Sequence, residues 1–122
     1  MAEIDVFYFR DKSGEVPFQP WFSGLPRKAQ DKCRVRIERL KEMGQDLRRP
    51  EADFLRDGIY ELRVKHLRVN FRILYFFHGT GLAVISHGLQ KERAVPDNEI
   101  DKAVERKRLV ATDPDQFTMT IE

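Results

Sequence analysis

Residues 58–91, GIYELRVKHLRVNFRILYFFHGTGLAVISHGLQK, leave little freedom in how this chain folds. Val, Ile, Tyr and Phe crowd the run, side chains that suit a pleated, half-buried surface. It breaks only at His66–Arg68 and at His78-Gly79-Thr80-Gly81, so three antiparallel strands in a meander are expected. Strand residues alternate faces, which sets Tyr60, Leu62 and Val64 against Glu61, Arg63 and Lys65. In the next strand Phe71, Ile73, Tyr75 and Phe77 oppose Asn70, Arg72, Leu74 and Phe76. A two-residue loop at Leu67-Arg68 puts Arg63 opposite Arg72. Closing the second hairpin about Gly79-Thr80 puts Arg72 opposite His87. The expected product is a cationic row, Arg63–Arg72–His87, with Lys65 beside it.

Like charges directly opposite on a sheet are destabilising. Two explanations stay open: Glu61, on the same face, neutralises part of the row, or the face receives a polyanion. The rest of that face divides, with Leu74, Phe76, Ala83 and Ile85 at one end and the cations at the other. A helix over the apolar end would leave a shallow groove with a basic floor.

Around the meander, Glu3–Arg10 reads as a first strand and Phe18–Leu25 as a short helical turn plugged by Trp21, Phe22 and Leu25. Ala29, Cys33, Ile37, Leu40 and Met43 recur at helical spacing after Pro26, and Gly44 is a natural stop. Gln45–Arg56, with Pro50 and little periodicity, is expected to be a loop. Pro96-Asp97 opens a last helix with Ile100, Ala103, Val104 and Val110 inward. The result is an α+β domain: a small antiparallel sheet in β-α-α-β-β-β-α order with helices packed on it. One domain is expected over residues 1–112, with 113–122 as a tail. There Phe117, Met119 and Ile121 alternate with threonines, the pattern of a short edge strand.

At 122 residues the chain can bury a core without disulfides or metal. Its single cysteine excludes an internal disulfide and a cysteine-based zinc site, and no cofactor or metal is expected. Neither a signal-peptide pattern nor an apolar run of membrane-spanning length is visible, so the expectation is a cytoplasmic protein without membrane association. Net charge is only +2, yet residues 26–49 hold nine Lys/Arg against four Asp/Glu, and residues 56–75 hold five against two. Residues 95–122 reverse this, with four against seven. That unevenness points to a local anion-binding surface, not to general coating of nucleic acid.

No Gly-rich phosphate loop or Ser-His-Asp signature is present. Four blocks nevertheless form a pattern: Gly58-Ile59-Tyr60-Glu61-Leu62-Arg63, Phe71-Arg72-Ile73-Leu74-Tyr75, His87-Gly88-Leu89-x-Lys91 and Pro96-x-x-Glu99-Ile100-x-x-Ala103. Over most of residues 3–110 the chain resembles the phage-derived, HigB-type branch of the RelE toxin superfamily. The resemblance implies a toxin of a type II toxin–antitoxin pair, cutting mRNA on the ribosome and silenced by a cognate antitoxin, most commonly of helix-turn-helix type. It matches Arg63 and Arg72 to the family's arginines and Lys91 to the first lysine of a Lys-Lys pair. The chain departs from the pattern at Glu92, where a second lysine is usual, at Phe71 in place of Tyr, and near Val110, where a late-helix aromatic is common.

The expected catalytic set is therefore Arg72, Arg63, Lys91 and His87. Arginine suits a phosphate through its bidentate donors, and the RNA 2′-hydroxyl supplies its own nucleophile. Lys65, Arg68, Arg93, Arg34 and Arg36 are expected to bind RNA. Two rival functions remain: a non-catalytic inhibitor of the same fold that blocks a host protein such as gyrase, and a plain RNA-binding module.

Overall fold

The computed structural model describes residues 3–120. Its strands and helices are β1 (Asp5–Phe9), α1 (Phe18–Ser23), α2 (Arg27–Met43), β2 (Ala52–Arg56), β3 (Ile59–His66), β4 (Val69–His78), β5 (Leu82–Gln90), α3 (Asp97–Thr112), α4 (Pro114–Phe117) and β6 (Thr118–Thr120). They form one six-stranded sheet in the order β2-β3-β4-β5-β1-β6, with helices packed on it. The α+β class is as expected, but the sheet is mixed: β1 runs parallel to β5, pairing Val6 with Ala83 and Tyr8 with Ile85. Two helices and three strands separate β1 from β5, a connection long enough for parallel pairing.

The β3–β4 hairpin turns on Leu67-Arg68 and pairs Arg63 with Arg72. The second hairpin differs from expectation. Arg72 faces Leu89, and His87 faces Leu74, because the turn takes three residues, Gly79-Thr80-Gly81, where two were expected, and the ladder shifts once more between Leu74 and Tyr75. Ser86 is the extra residue, a bulge that returns His87 to the face carrying Arg72. Before the bulge the parity is opposite to that expected. Ala83 and Ile85 therefore lie with the α1–α2 core, and Val84 takes the place foreseen for them on the α3 side.

Gln45–Arg56, expected as a loop, contains a 3-10 turn (Gly44–Asp46) and then β2, which pairs Ala52 with Leu62 and Phe54 with Tyr60. Its local sequence has little strand character; the open edge of β3 supplies the pairing. Gly44 closes α2 at φ 57° and ψ −132°, a conformation in which a side chain would be strained. The edge strand expected in the tail is β6, whose Met119 pairs with Tyr8. Phe117 instead ends α4 and stacks on Phe9. Ile121 of that pattern lies outside the described residues.

Each sheet face has its own core. On one side, Ala29, Cys33 and Leu40 of α2 and Phe18 of α1 pack on Leu62, Val64, Phe71, Ile73, Tyr75 and Ile85. On the other, Ile100, Ala103 and Val110 of α3 cover Ile59, Leu74, Phe76 and Val84. The α3 contacts stop at the apolar end of β4, so the arginine end of that face stays open. Among the described residues no helix is long and apolar enough to cross a membrane.

Candidate functional site

Glu61 and Arg63 are two residues apart on β3, and so share a face with Arg72 directly across on β4. Glu61 is only 3% exposed. Its Oε2 accepts from Arg63 Nε at 2.9 Å, and its Oε1 lies 3.1 Å from Arg72 Nε. One buried carboxylate thus bridges two arginines that would otherwise repel. β2 adds Asp53, 3.4 Å from Arg63 Nη2 and 2.7 Å from Arg49 Nη2. The hydrogen bonds from Arg49 hold the Asp53 carboxyl below its ordinary range.

These side chains floor a cleft of about 520 Å³ between β2–β4 and the start of α3. Leu55, Val95 and Ile100 form an apolar wall, and Glu92 and Arg93 stand on the rim. Arg56 joins the β2–β3 turn to α3, with Nη2 at 2.6 Å from Asp101 Oδ1 and Nη1 at 2.7 Å from Asp57. Hydrogen bonds to Asp101 and Asp57 hold Arg56 still more firmly in its charged form. Five arginines and four carboxylates line the cleft, so its cations are largely compensated.

His87 is elsewhere. It is 7% exposed, under α3. Its Nε2 is 2.8 Å from Glu99 Oε1, while Nδ1 lies 2.7 Å from Ser86 Oγ and 3.2 Å from Arg106 Nη1. Burial pushes its pKa down to about 4, so near neutral pH the ring is uncharged. The consistent tautomer has Nε2–H donating to Glu99, with Nδ1 accepting from Ser86 and Arg106. Burial raises the Glu99 pKa, but the His87 hydrogen bond and Lys102 outweigh it and leave the carboxyl below its ordinary value. Desolvation lowers Arg106. The Ser86–His87–Glu99 chain has the order of a nucleophile relay, but Ser86 is fully buried and no substrate reaches its hydroxyl.

The other expected residues divide. Arg63, Arg72 and Arg93 share the cleft. Lys91 is exposed just beyond it, its backbone N–H bonded to Asn70 O, in a separate shallow groove with Glu92 and Arg93. Lys65 is exposed at the sheet edge, and Arg68 is exposed on the hairpin tip. Arg34 lies on the opposite side of the sheet, over the Phe22 ring at 5.0 Å and paired with Asp31. Arg36 reaches Glu51 Oε2 at 3.5 Å. Val110 is fully buried in the α3 core, so the helix position where an aromatic is common does not face the cleft.

Sequence reading missed Arg49, Asp53 and Arg56, because β2 was unforeseen. It also missed Glu99 and Arg106, although both fall at helical spacing with the inward Ala103. Compared with known proteins, residues 20–108 match the family model described as phage-derived protein Gp49-like (DUF891). The search of curated proteins finds no match.

Proposed function

The chain belongs to the phage-derived Gp49-like family, and from that premise we propose that it is the toxin of a toxin–antitoxin pair, a RelE/HigB-like endoribonuclease acting on ribosome-bound mRNA. The observation that carries the reading is the Arg63–Arg72 pair, held side by side on a buried carboxylate at the floor of an open cleft. Two guanidinium groups in fixed orientation suit a phosphodiester, whose charge grows when a fifth oxygen attacks phosphorus. The 2′-hydroxyl attacks the adjacent phosphorus, the bond to the 5′-oxygen breaks, and the products are a 2′,3′-cyclic phosphate and a 5′-hydroxyl. Arg72 stabilises the transition state, Arg63 orients the phosphate, and Lys91 and Arg93 hold the strand at the rim.

His87 takes a different place in this reading from the one its sequence position suggests. With both ring nitrogens engaged, it props α3 against β5 and does not move the proton. Glu92 is the better base: it lines the cleft and, among the described residues, forms no ion pair. A cognate antitoxin is the implied partner, with the ribosome and mRNA as target. A non-catalytic inhibitor of a host protein is the second reading, favoured by the near balance of charge in the cleft. Incubating the protein with ribosomes bearing a defined mRNA separates the two. Cleavage ending in a 2′,3′-cyclic phosphate, and lost in Arg72→Ala, is the expected result; intact mRNA with arrested growth on expression would favour the inhibitor.

A further inference from the structure

Beside the main cleft, and sharing Arg63 and Arg72 with it, is a smaller concavity of about 280 Å³. Its remaining lining is Arg36, Pro50, Val64, Lys65 and Asn70. Four cations meet there, and among the described residues no carboxylate lines it. The larger cleft, by contrast, sets four carboxylates against five arginines.

The topology explains how cations from both sides of the sheet come together. β2 pairs with β3 only from Ile59 to Leu62, whereas β3 runs on to His66. Past Leu62 the sheet has a notch. Arg63 and Arg72 reach it from the α3 side, Arg36 comes from α2 on the other, and Lys65 stands at the edge. Backbone direction adds to this. Arg63 N–H bonds outward to Glu51 O at 2.9 Å, and Lys65, two residues on in the same strand, turns its N–H to the same edge. Arg36 is loosely committed: its Nη1 is 3.5 Å from Glu51, and its buried Nε has no acceptor among the described residues.

We propose that this notch is a second phosphate subsite, in which Arg36, Lys65 and the outward Lys65 N–H hold the backbone phosphate next to the one over Arg63 and Arg72 in a single-stranded RNA. The inference rests on the RNA reading of the cleft and extends it to a path. The strand crosses the floor arginines and leaves over the sheet edge, with the notch gripping it on the side away from Arg93. Because the notch contacts charge and no base edge, it adds affinity without sequence preference.

The test uses a 2′-O-methyl RNA hexanucleotide, which binds without being cut, with binding followed by anisotropy over a salt series. Lys65→Ala and Arg36→Ala should each weaken binding about tenfold, the scale of one charge-assisted contact. Each should also flatten the slope of log K against log salt by about 0.7, one single-strand phosphate contact. Lys65 is exposed and in no ion pair among the described residues, so its variant keeps the test sound if Arg36→Ala is destabilised. Unchanged affinity and slope in Lys65→Ala, beside weakened binding in Arg72→Ala, would overturn the subsite; so would absence of wild-type binding, free or on ribosomes. Binding that depends on Lys65, in a protein that leaves ribosome-bound mRNA whole, would keep the subsite and remove the endoribonuclease reading.

Discussion

The α3 side of the sheet carries two arginine–carboxylate clusters built from similar parts and put to opposite uses. In one, Arg63 and Arg72 share Glu61 at the floor of an open cleft. In the other, Arg106 and Glu99 enclose His87 beneath α3. The difference is where their donors end up. Around His87 both ring nitrogens are engaged and the site is shut. Around Glu61 the carboxylate accepts from Arg63 Nε and pairs with Arg72 Nε, Arg63 Nη2 also reaches Asp53 at 3.4 Å, and both guanidinium groups still line the open cleft. A closed cluster holds the fold together; an open one, oriented from beneath, is the one we propose to receive an anion.

Arg72→Ala should separate the two most sharply. On the proposed endoribonuclease reading, loss of this transition-state donor should lower the cleavage rate by about 10²–10³-fold. The Arg72 side chain is only 14% exposed and shares a buried carboxylate, so the same change costs about 1–3 kcal/mol in a denaturant melt. A fully active Arg72→Ala would remove the open cluster from the chemistry.

The closed cluster should reveal itself through pH. The His87 pKa is depressed from 6.5 to about 4, so between those values the unfolded chain binds a proton that the native one does not. Stability from this group is therefore complete above about pH 6.5, falls as pH drops toward 4, and is constant below. The loss is about 3 kcal/mol at most. Urea midpoints of wild type and His87→Gln across that window isolate it, and parallel curves would show that the ring already titrates freely.

Glu99→Ala leaves the His87 Nε2–H without its acceptor and removes a carboxylate whose charge favours the Arg106 cation. A loss of about 1–3 kcal/mol in stability is expected, with cleavage by the folded protein changed no more than a few-fold. A fall in rate matching that of Arg72→Ala would break the comparison and bring the closed cluster into the active site. The smallest effect belongs to Lys102→Ala at its margin. Lys102 is half exposed, 3.5 Å from Glu99, and its loss should stay within about 0.5 kcal/mol. A larger thermal shift would mean that the cluster is less enclosed than its geometry indicates.

What the sequence determined by itself was short-range. Alternation along β3 and β4, with a two-residue turn at Leu67-Arg68, was enough to put Arg63 opposite Arg72 and to send Leu62, Ile73 and Tyr75 into the other core. The helical stripe from Ala29 to Leu40 was equally plain, since 3.6-residue spacing is written into the chain. Tertiary structure decided the rest. The bulge at Ser86, which together with a three-residue turn moves His87 from Arg72 to Leu74, depends on how β5 sits between β4 and β1. β2 is a strand because the edge of β3 offers it partners, and with it came Asp53 and Arg49. Arg36 meets Arg63 and Lys65 only because β2 stops short of the end of β3. Turn length and alternation act over a few residues and can be read in order; bulges, strand insertion and notches depend on which distant surfaces pack, and only the assembled sheet fixes that.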